Sequence, residues 1–351
     1  MWPETTLLEL FEVQYPIIQA PMAGSATVKL AAAVTNAGGL GSLGCGEMSP
    51  DELETKVGQL RQLTNGAFNL NFMVHPTPVF NPAVDLAARN ALEPFYKSLN
   101  ISETPTTQEA PFKEFNQEFL KLLLKLRAPI VSFHFGLPKL DWVKELQASG
   151  CVVISSATTV EEAVVLDQAG IDAIIAQGWE AGGHRGSFDT HFEDAGTGTM
   201  ALVPQVVDQV DVPVIAAGGI ADGRGIAASF MLGACGVQMG TAFLSCPEAA
   251  TSEAHCKAIR ESKDTDTRLT RAFSGRPARA RNNPYIESMA KQRQQLPDYP
   301  TLYNLSMPLH LKSEENETNF LLYGQAAALN RELPAAQLIE TLVTETTGIL
   351  S

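Results

Sequence analysis

The chain has 351 residues, enough for one large barrel with insertions or for two modest domains, and its 45% hydrophobic content supplies a sizeable core. A formal net charge of −14 argues against nucleic acid or an anionic membrane surface as a partner. The cysteines, Cys45, Cys151, Cys235, Cys246 and Cys256, are scattered without a C-x-x-C pair, so neither a disulfide framework nor a metal site is expected and reduced thiols fit best.

The opening MWPETTLLELFEV has neither a basic start nor a long apolar run, and no stretch reaches the ~20 apolar residues of a membrane span. A cytoplasmic protein is therefore expected. Short apolar runs ending in glycine or a small residue then recur: PIIQAPMAG at Ile17, GLGSLGCG at Leu40, FNLNFMV from Phe68, PIVSFHFG at Ile130. They continue with CVVISSA from Cys151, AIIAQG from Ala173, PVIAAGG from Pro213 and GVQMGTAF from Gly236. Such runs suit strands buried on both faces of a parallel sheet. Helix signals lie between them: Ser49 and Asp51 ahead of ELETKVGQLRQL, the capped and acid-started TTVEEAVVLDQAG, and DGRGIAASFMLGA.

Strand-helix units in such a series predict an α/β protein, a (β/α)8 TIM barrel with right-handed crossovers; a doubly wound open sheet is the alternative. Two longer gaps interrupt the rhythm. The expected barrel comprises 1–74, 119–245 and 320–351, and the insertions 75–118 and 246–319 are expected to form a smaller, mainly helical lid or substrate domain. Both insertions follow strand C-terminal ends, the face where barrels keep their chemistry.

The loops after the seventh and eighth strands are the common phosphate site of barrels. Here they carry Gly218-Gly219 and Met239-Gly240-Thr241, glycines for close backbone approach and a hydroxyl donor. No dinucleotide fingerprint or P-loop is present. Amides mark other strand ends: Gln19, Asn69, Asn71, Gln177 and Gln238. Inside an apolar barrel they need partners, either one another or water, or the edge of a planar heterocycle such as a flavin.

IIQAPMAG, NLNFM, QGWEAGGHRG, VIAAGGIADGRG, GVQMGTAFL and TRAFSGRPAR, in this order over nearly the whole chain, resemble the nitronate monooxygenases. The resemblance implies an FMN enzyme that oxidises an alkyl nitronate, propionate 3-nitronate in the type suggested by the first insertion, with O2 and without NAD(P)H. The products are a carbonyl compound and nitrite, and the state is a monomer or homodimer. It places FMN against Pro21, Met22, Ala23, Asn71, Gln177, Gly182, Gly183, Gly218, Gly219, Gln238, Met239, Gly240 and Thr241. In FNLNFM, Asn69 and Asn71 both qualify, and Asn71 is assigned.

The resemblance makes His184 the active-site histidine. Imidazole suits a base near neutral pH, or a group that holds the nitro oxygens of an anion that is already a nitronate. Glu180 is expected to anchor the loop. His134, Tyr299 and Tyr303 are candidates for substrate contact; His134 is equally read as structural, and the tyrosine pair as packing. Arg271, Arg276, Arg279 and Arg281 read either as an ion-pair hub or as counter-charge for an anion. The rival enzyme is an FMN-dependent NADH enoyl-acyl-carrier-protein reductase, and the non-enzymatic rival a flavin-binding barrel.

Overall fold

The apolar runs become short parallel strands whose side chains alternate between the barrel interior and a surrounding layer of helices. They are β1 (Ile17–Gln19), β2 (Gly41–Gly44), β3 (Phe68–Met73), β4 (Ile130–His134), β5 (Val152–Ala157) and β6 (Ala173–Gln177). After a two-residue strand β7 (Gly183–His184) come β8 (Val214–Ala217) and β9 (Gly236–Met239). This computed structural model describes every residue except 1, 4, 103–104, 192–194, 293–295 and 314–316. The parallel order is β1-β9-β8-β6-β5-β4-β3-β2. A parallel bridge between Ile18 and Leu40 closes it, so the TIM barrel is formed as expected.

Closure at β1 depends on one side chain. Leu40 N donates to Ile17 O and Gln19 N to Leu40 O, both at 2.9 Å. β1 then ends, and Gln19 Oε1 takes over as acceptor for Ser42 N at 2.9 Å. Fully buried Gln19 is thus spent on the β2 edge, which settles for this amide the choice between mutual satisfaction and ligand binding.

The outer faces of the strands, Leu70 and Phe72 among them, pack under the helices in the largest core. The lower interior is apolar, with Ile18, Ile130, Ile154, Ile175 and Ile215, and is plugged by Leu7 and Phe11 of the helix Thr6–Phe11. Towards the C-terminal rim the inward positions turn polar.

A second core joins the two insertions. Leu92 and Tyr96 of the helix Pro82–Ser98 pack with Phe273, Tyr285, Leu305 and Leu309. Tyr96 Oη donates to Leu305 O at 2.6 Å across that seam. The second insertion is not only helix and loop, however. It contributes β10 (Thr267–Thr270) and β11 (Ala278–Arg281) to a three-stranded antiparallel sheet of order β10-β11-β7. Their sequences, TRLT and ARAR, hide the strand period because arginine stems occupy positions an apolar pattern would mark.

Candidate active site

β6 runs out at Gln177, and the chain turns through Gly178–Gly182 before His184 joins the small sheet opposite Ala278. Gln177 braces that turn: Nε2 donates to His184 O at 2.9 Å and Oε1 accepts from Gly186 N at 2.8 Å. One Nε2 hydrogen and one lone pair remain for a ligand. Arg185, only 1% exposed, reaches back to donate to Gln177 O, Gly178 O and Ala195 O at 2.9, 2.7 and 3.0 Å. Its guanidinium and that of Arg279 both lie near the Trp179 ring, 5.4 and 5.8 Å from its centre. Glu180 accepts from Thr199 N at 2.9 Å and Thr199 Oγ1 at 3.0 Å, tying the loop to the helix Thr199–Val207 as expected.

Gly182 owes its identity to a neighbour the sequence did not reveal. A Cβ there would lie 2.5 Å from both Gly324 N and the Tyr323 carbonyl carbon, so the C-terminal Tyr323-Gly324 segment abuts the loop. Gly183, by contrast, has open space around it and is required by its φ of +76°.

His184 is 8% exposed. Its Nε2 lies 2.9 Å from Ser274 Oγ, and its carbonyl accepts from both Gln177 and His134 Nε2, the latter at 3.1 Å. The ring is caged edge-on by Tyr299, Phe135 and Tyr303, with centroids at 5.6, 5.9 and 6.3 Å. Burial, then the neighbouring His134 and Arg276, push its pKa down to about 3. The ring is therefore neutral at any physiological pH.

His134 shares the pocket but spends both ring nitrogens. A carbonyl can only accept, so Nε2 carries the proton given to His184 O, and Nδ1 accepts from Ser156 Oγ at 2.9 Å. Burial lowers its pKa to about 4. Its geometry positions His184 rather than offering a substrate contact through nitrogen.

Tyr299 and Tyr303 do stand beside His184. Tyr299 Oη donates to Met73 Sδ at 2.8 Å, and burial holds both phenols protonated, raised above their ordinary value. Tyr299 precedes the helix Leu302–Lys312 and Tyr303 lies in its first turn, so packing and recognition are not exclusive for this pair.

The arginine cluster is not an ion-pair hub. Among the described residues its one ion pair is Arg271–Asp298 at 3.3 Å. Arg279 donates to Trp179 O and to Thr267 Oγ1. Arg276 donates to Ser187 O and lies flat on Phe135, its guanidinium carbon 3.7 Å from the ring centre. Phe135 itself holds φ +73°, a costly conformation for a bulky residue and one that concentrates at functional sites.

On the opposite rim, Pro21-Met22-Ala23 leave β1 and cross between Gly44 and Gly240. A Cβ at Gly44 would meet Ala23 N at 2.9 Å, and one at Gly240 would meet Met22 Sδ at 3.7 Å. Gly218 and Gly219 hold φ +105° and +74° after β8. Thr241 opens the helix Thr241–Leu244, and its Oγ1 accepts from Gly324 N at 3.0 Å, leaving the hydroxyl proton free to donate.

Asn69 and Asn71 both face inward, two residues apart. Asn69 is wholly buried with Nδ2 on Ser42 Oγ at 3.1 Å, whereas Asn71, 7% exposed, is nearer the rim with Nδ2 on Ser132 Oγ at 2.9 Å. Buried Asn69 Oδ1 and Gln238 Oε1 have no hydrogen-bond partner among the described residues. Leaving such an acceptor unmet costs roughly 1–3 kcal/mol, so a donor placed in this mouth would be strongly held.

The buried histidines make acid stability a readout of the fold. The unfolded chain protonates His134, His184 and His255 near their ordinary 6.5; the folded chain does so only near 4, 3 and 4. Between those values the unfolded state binds more protons, so stability is complete above about pH 6.5 and declines as pH falls towards 4. Urea midpoints measured from pH 8 to 4 should show this decline, and His134→Gln should flatten it.

Among the described residues no helix is long and apolar enough to cross a membrane. A family model described as nitronate monooxygenase matches residues 4–345. A protein of Staphylococcus aureus (strain MSSA476) named a probable nitronate monooxygenase is 40% identical over 357 residues, covering 100% of this chain and 99% of its own. The structure of a nitroalkane oxidase from Streptomyces ansochromogenes superposes with a TM-score of 0.89 at 37% identity, over 99% of this chain and 100% of that one. FabK from Thermotoga maritima is less similar, with a TM-score of 0.74 and 30% identity over 98% of this chain and 96% of its own. A match along nearly the whole chain, together with the barrel and the caged histidine at its rim, shows that the chain belongs to the nitronate monooxygenase family.

Proposed function

We propose that the protein oxidises alkyl nitronates with O2 to a carbonyl compound and nitrite, using FMN held in the barrel mouth. The observation that carries this reading is His184: a neutral imidazole, clamped through its carbonyl by Gln177 and His134 and flanked by two protonated phenols. The mouth fits a flavin because it offers unmet acceptors at Asn69 and Gln238, rim amides at Asn71 and Gln177, and a glycine-lined end at Gly218, Gly219 and Gly240 with the Thr241 hydroxyl. Pro21, Met22, Ala23, Gly182, Gly183 and Met239 would complete the cradle. When bound there, the flavin supplies the redox chemistry of the reaction.

The chain's own part is orientation and proton control. Ser274 Oγ lies 3.1 Å from Arg276 O; with its proton given there, its oxygen accepts from His184 Nε2–H, which leaves Nδ1 with a lone pair. That lone pair removes the α-proton of a nitroalkane; a nitronate that arrives preformed is oriented instead by the Tyr303 hydroxyl as donor. In this reading 75–118 and 246–319 act as the lid over the barrel of 1–74, 119–245 and 320–351 and keep water from the reacting atoms.

The test is an anaerobic absorbance titration of the purified yellow protein with propionate 3-nitronate, then with propyl 1-nitronate, then with NADH. Bleaching of the flavin by nitronate alone is the expected result. Bleaching by NADH alone would replace this reading with the enoyl-acyl-carrier-protein reductase, and silence towards all three would leave a flavin-binding barrel.

A further inference from the structure

The substrate cage is built of rings. Around His184 stand Phe135, Tyr299 and Tyr303, and behind Tyr299 lie His75 and Phe112, at 5.0 and 5.8 Å between centroids. Among the described residues stacked on these rings the only cation is Arg276. Its guanidinium is already committed, face-on to Phe135 and hydrogen-bonded to Ser187 O. One fixed positive charge close to His184 suits one anionic nitro head, and among the described residues the cage offers no second cation for a charged tail.

Next to the Met73–Tyr299 contact the loop carries an acid. The loop after β2 is pinned by Cys45 N on Asn71 O at 2.8 Å and turned by Met48 N on Cys45 O at 3.1 Å. Its Gly46 packs on Met73: a Cβ there would lie 3.5 Å from Met73 N and Cγ. Met73 is the residue whose sulfur accepts from Tyr299 Oη. Glu47 follows directly. Among the described residues it has no hydrogen bond and no ion pair, and its charge acts on both Tyr299 and Tyr303, helping to hold them protonated. The side chain is open to solvent, yet lost hydration lifts its carboxyl above the usual range.

We propose that Glu47 is a specificity-determining residue of the cage, selecting nitronates with an uncharged alkyl or aryl tail against those that carry a second negative charge. This rests on the nitronate reading above and narrows it: a carboxylate-tailed dianion such as propionate 3-nitronate would be a poorer substrate than its neutral-tailed analogue. Repulsion by Glu47 is the reason, since the tail of any substrate whose head sits at His184 must extend among the tyrosines that feel its charge.

The experiment compares kcat/KM of the flavin-loaded enzyme for propyl 1-nitronate and propionate 3-nitronate at low ionic strength, in the wild type and in Glu47→Gln. The wild type should favour the neutral tail by at least about tenfold, or about 1.4 kcal/mol. E47Q should shrink that ratio about tenfold by improving the dianion, and E47K should shrink it further. Added salt should lower the wild-type KM for the dianion and leave that of E47Q nearly constant, a response that a purely structural role would not produce. A wild type that prefers propionate 3-nitronate, or a ratio untouched by both variants, would overturn the assignment while leaving nitronate oxidation intact. Oxidation of neither compound would overturn both readings.

Discussion

Replacing His184 with asparagine should lower nitronate turnover by roughly 100-fold or more, the usual worth of a positioned acid-base group, while flavin content per chain stays at the wild-type level. The separation is expected because the two halves of the residue do different things. Its backbone carbonyl, clamped by Gln177 Nε2 and His134 Nε2, fixes the loop and survives the substitution. Its ring alone meets the cage of Phe135, Tyr299 and Tyr303. Asparagine can still occupy the cage and bond Ser274, but its amide is not a base at neutral pH. A variant that loses flavin together with activity would move His184 from the reaction to the cradle, and unchanged turnover would remove it from both.

The same ring carries a pH signature. A pKa near 3 means the imidazole is neutral throughout the range in which the protein is stable, and a weaker base than the near-neutral imidazole expected from the sequence. Ring NMR should show no titration of His184 between pH 8 and 5, and a midpoint near 6.5 would contradict the enclosed, neutral base.

The barrel was readable because parallel strands buried on both faces leave contiguous apolar runs, and each of the eight runs became a strand. Asn69 and Asn71 show the limit of that reading. Strand alternation sends both inward, so pattern could not rank them; only their depth separates a wholly buried amide from one at the rim. The loop of His184 was found by its glycines and histidine, but two of its fastenings were invisible. Tyr323-Gly324 lies far along the chain from the Gly182 it abuts, and the small sheet that holds His184 is written in arginines. Arg276 was one member of a basic cluster in the sequence; its position flat on Phe135, and hence its charge beside the histidine, needed the folded partners.

A second large effect is expected far from any substrate, at Glu162. This residue is wholly buried, on the helix Val160–Gln168. One oxygen accepts from Thr158 N and Thr158 Oγ1, both at 2.7 Å. The other gathers the successive amides of Phe188, Asp189 and Thr190 at 2.7, 3.2 and 3.3 Å. Those amides belong to the segment that continues from His184 and Arg185, so a single carboxylate fixes the far end of the loop whose near end Gln177 holds. Glu162→Ala strands the two buried donors of Thr158 and three part-buried loop amides at once. At roughly 1–3 kcal/mol for each one left unmet, and allowing water to reach some of them, a loss of about 3 kcal/mol is expected. In a chain of this size that corresponds to a melting temperature lower by about 4 °C. Glu162→Gln should not restore it, because its amide turns N–H groups towards N–H groups. A Glu162→Gln protein as stable as the wild type would show that a single acceptor oxygen at this position is enough to hold the segment.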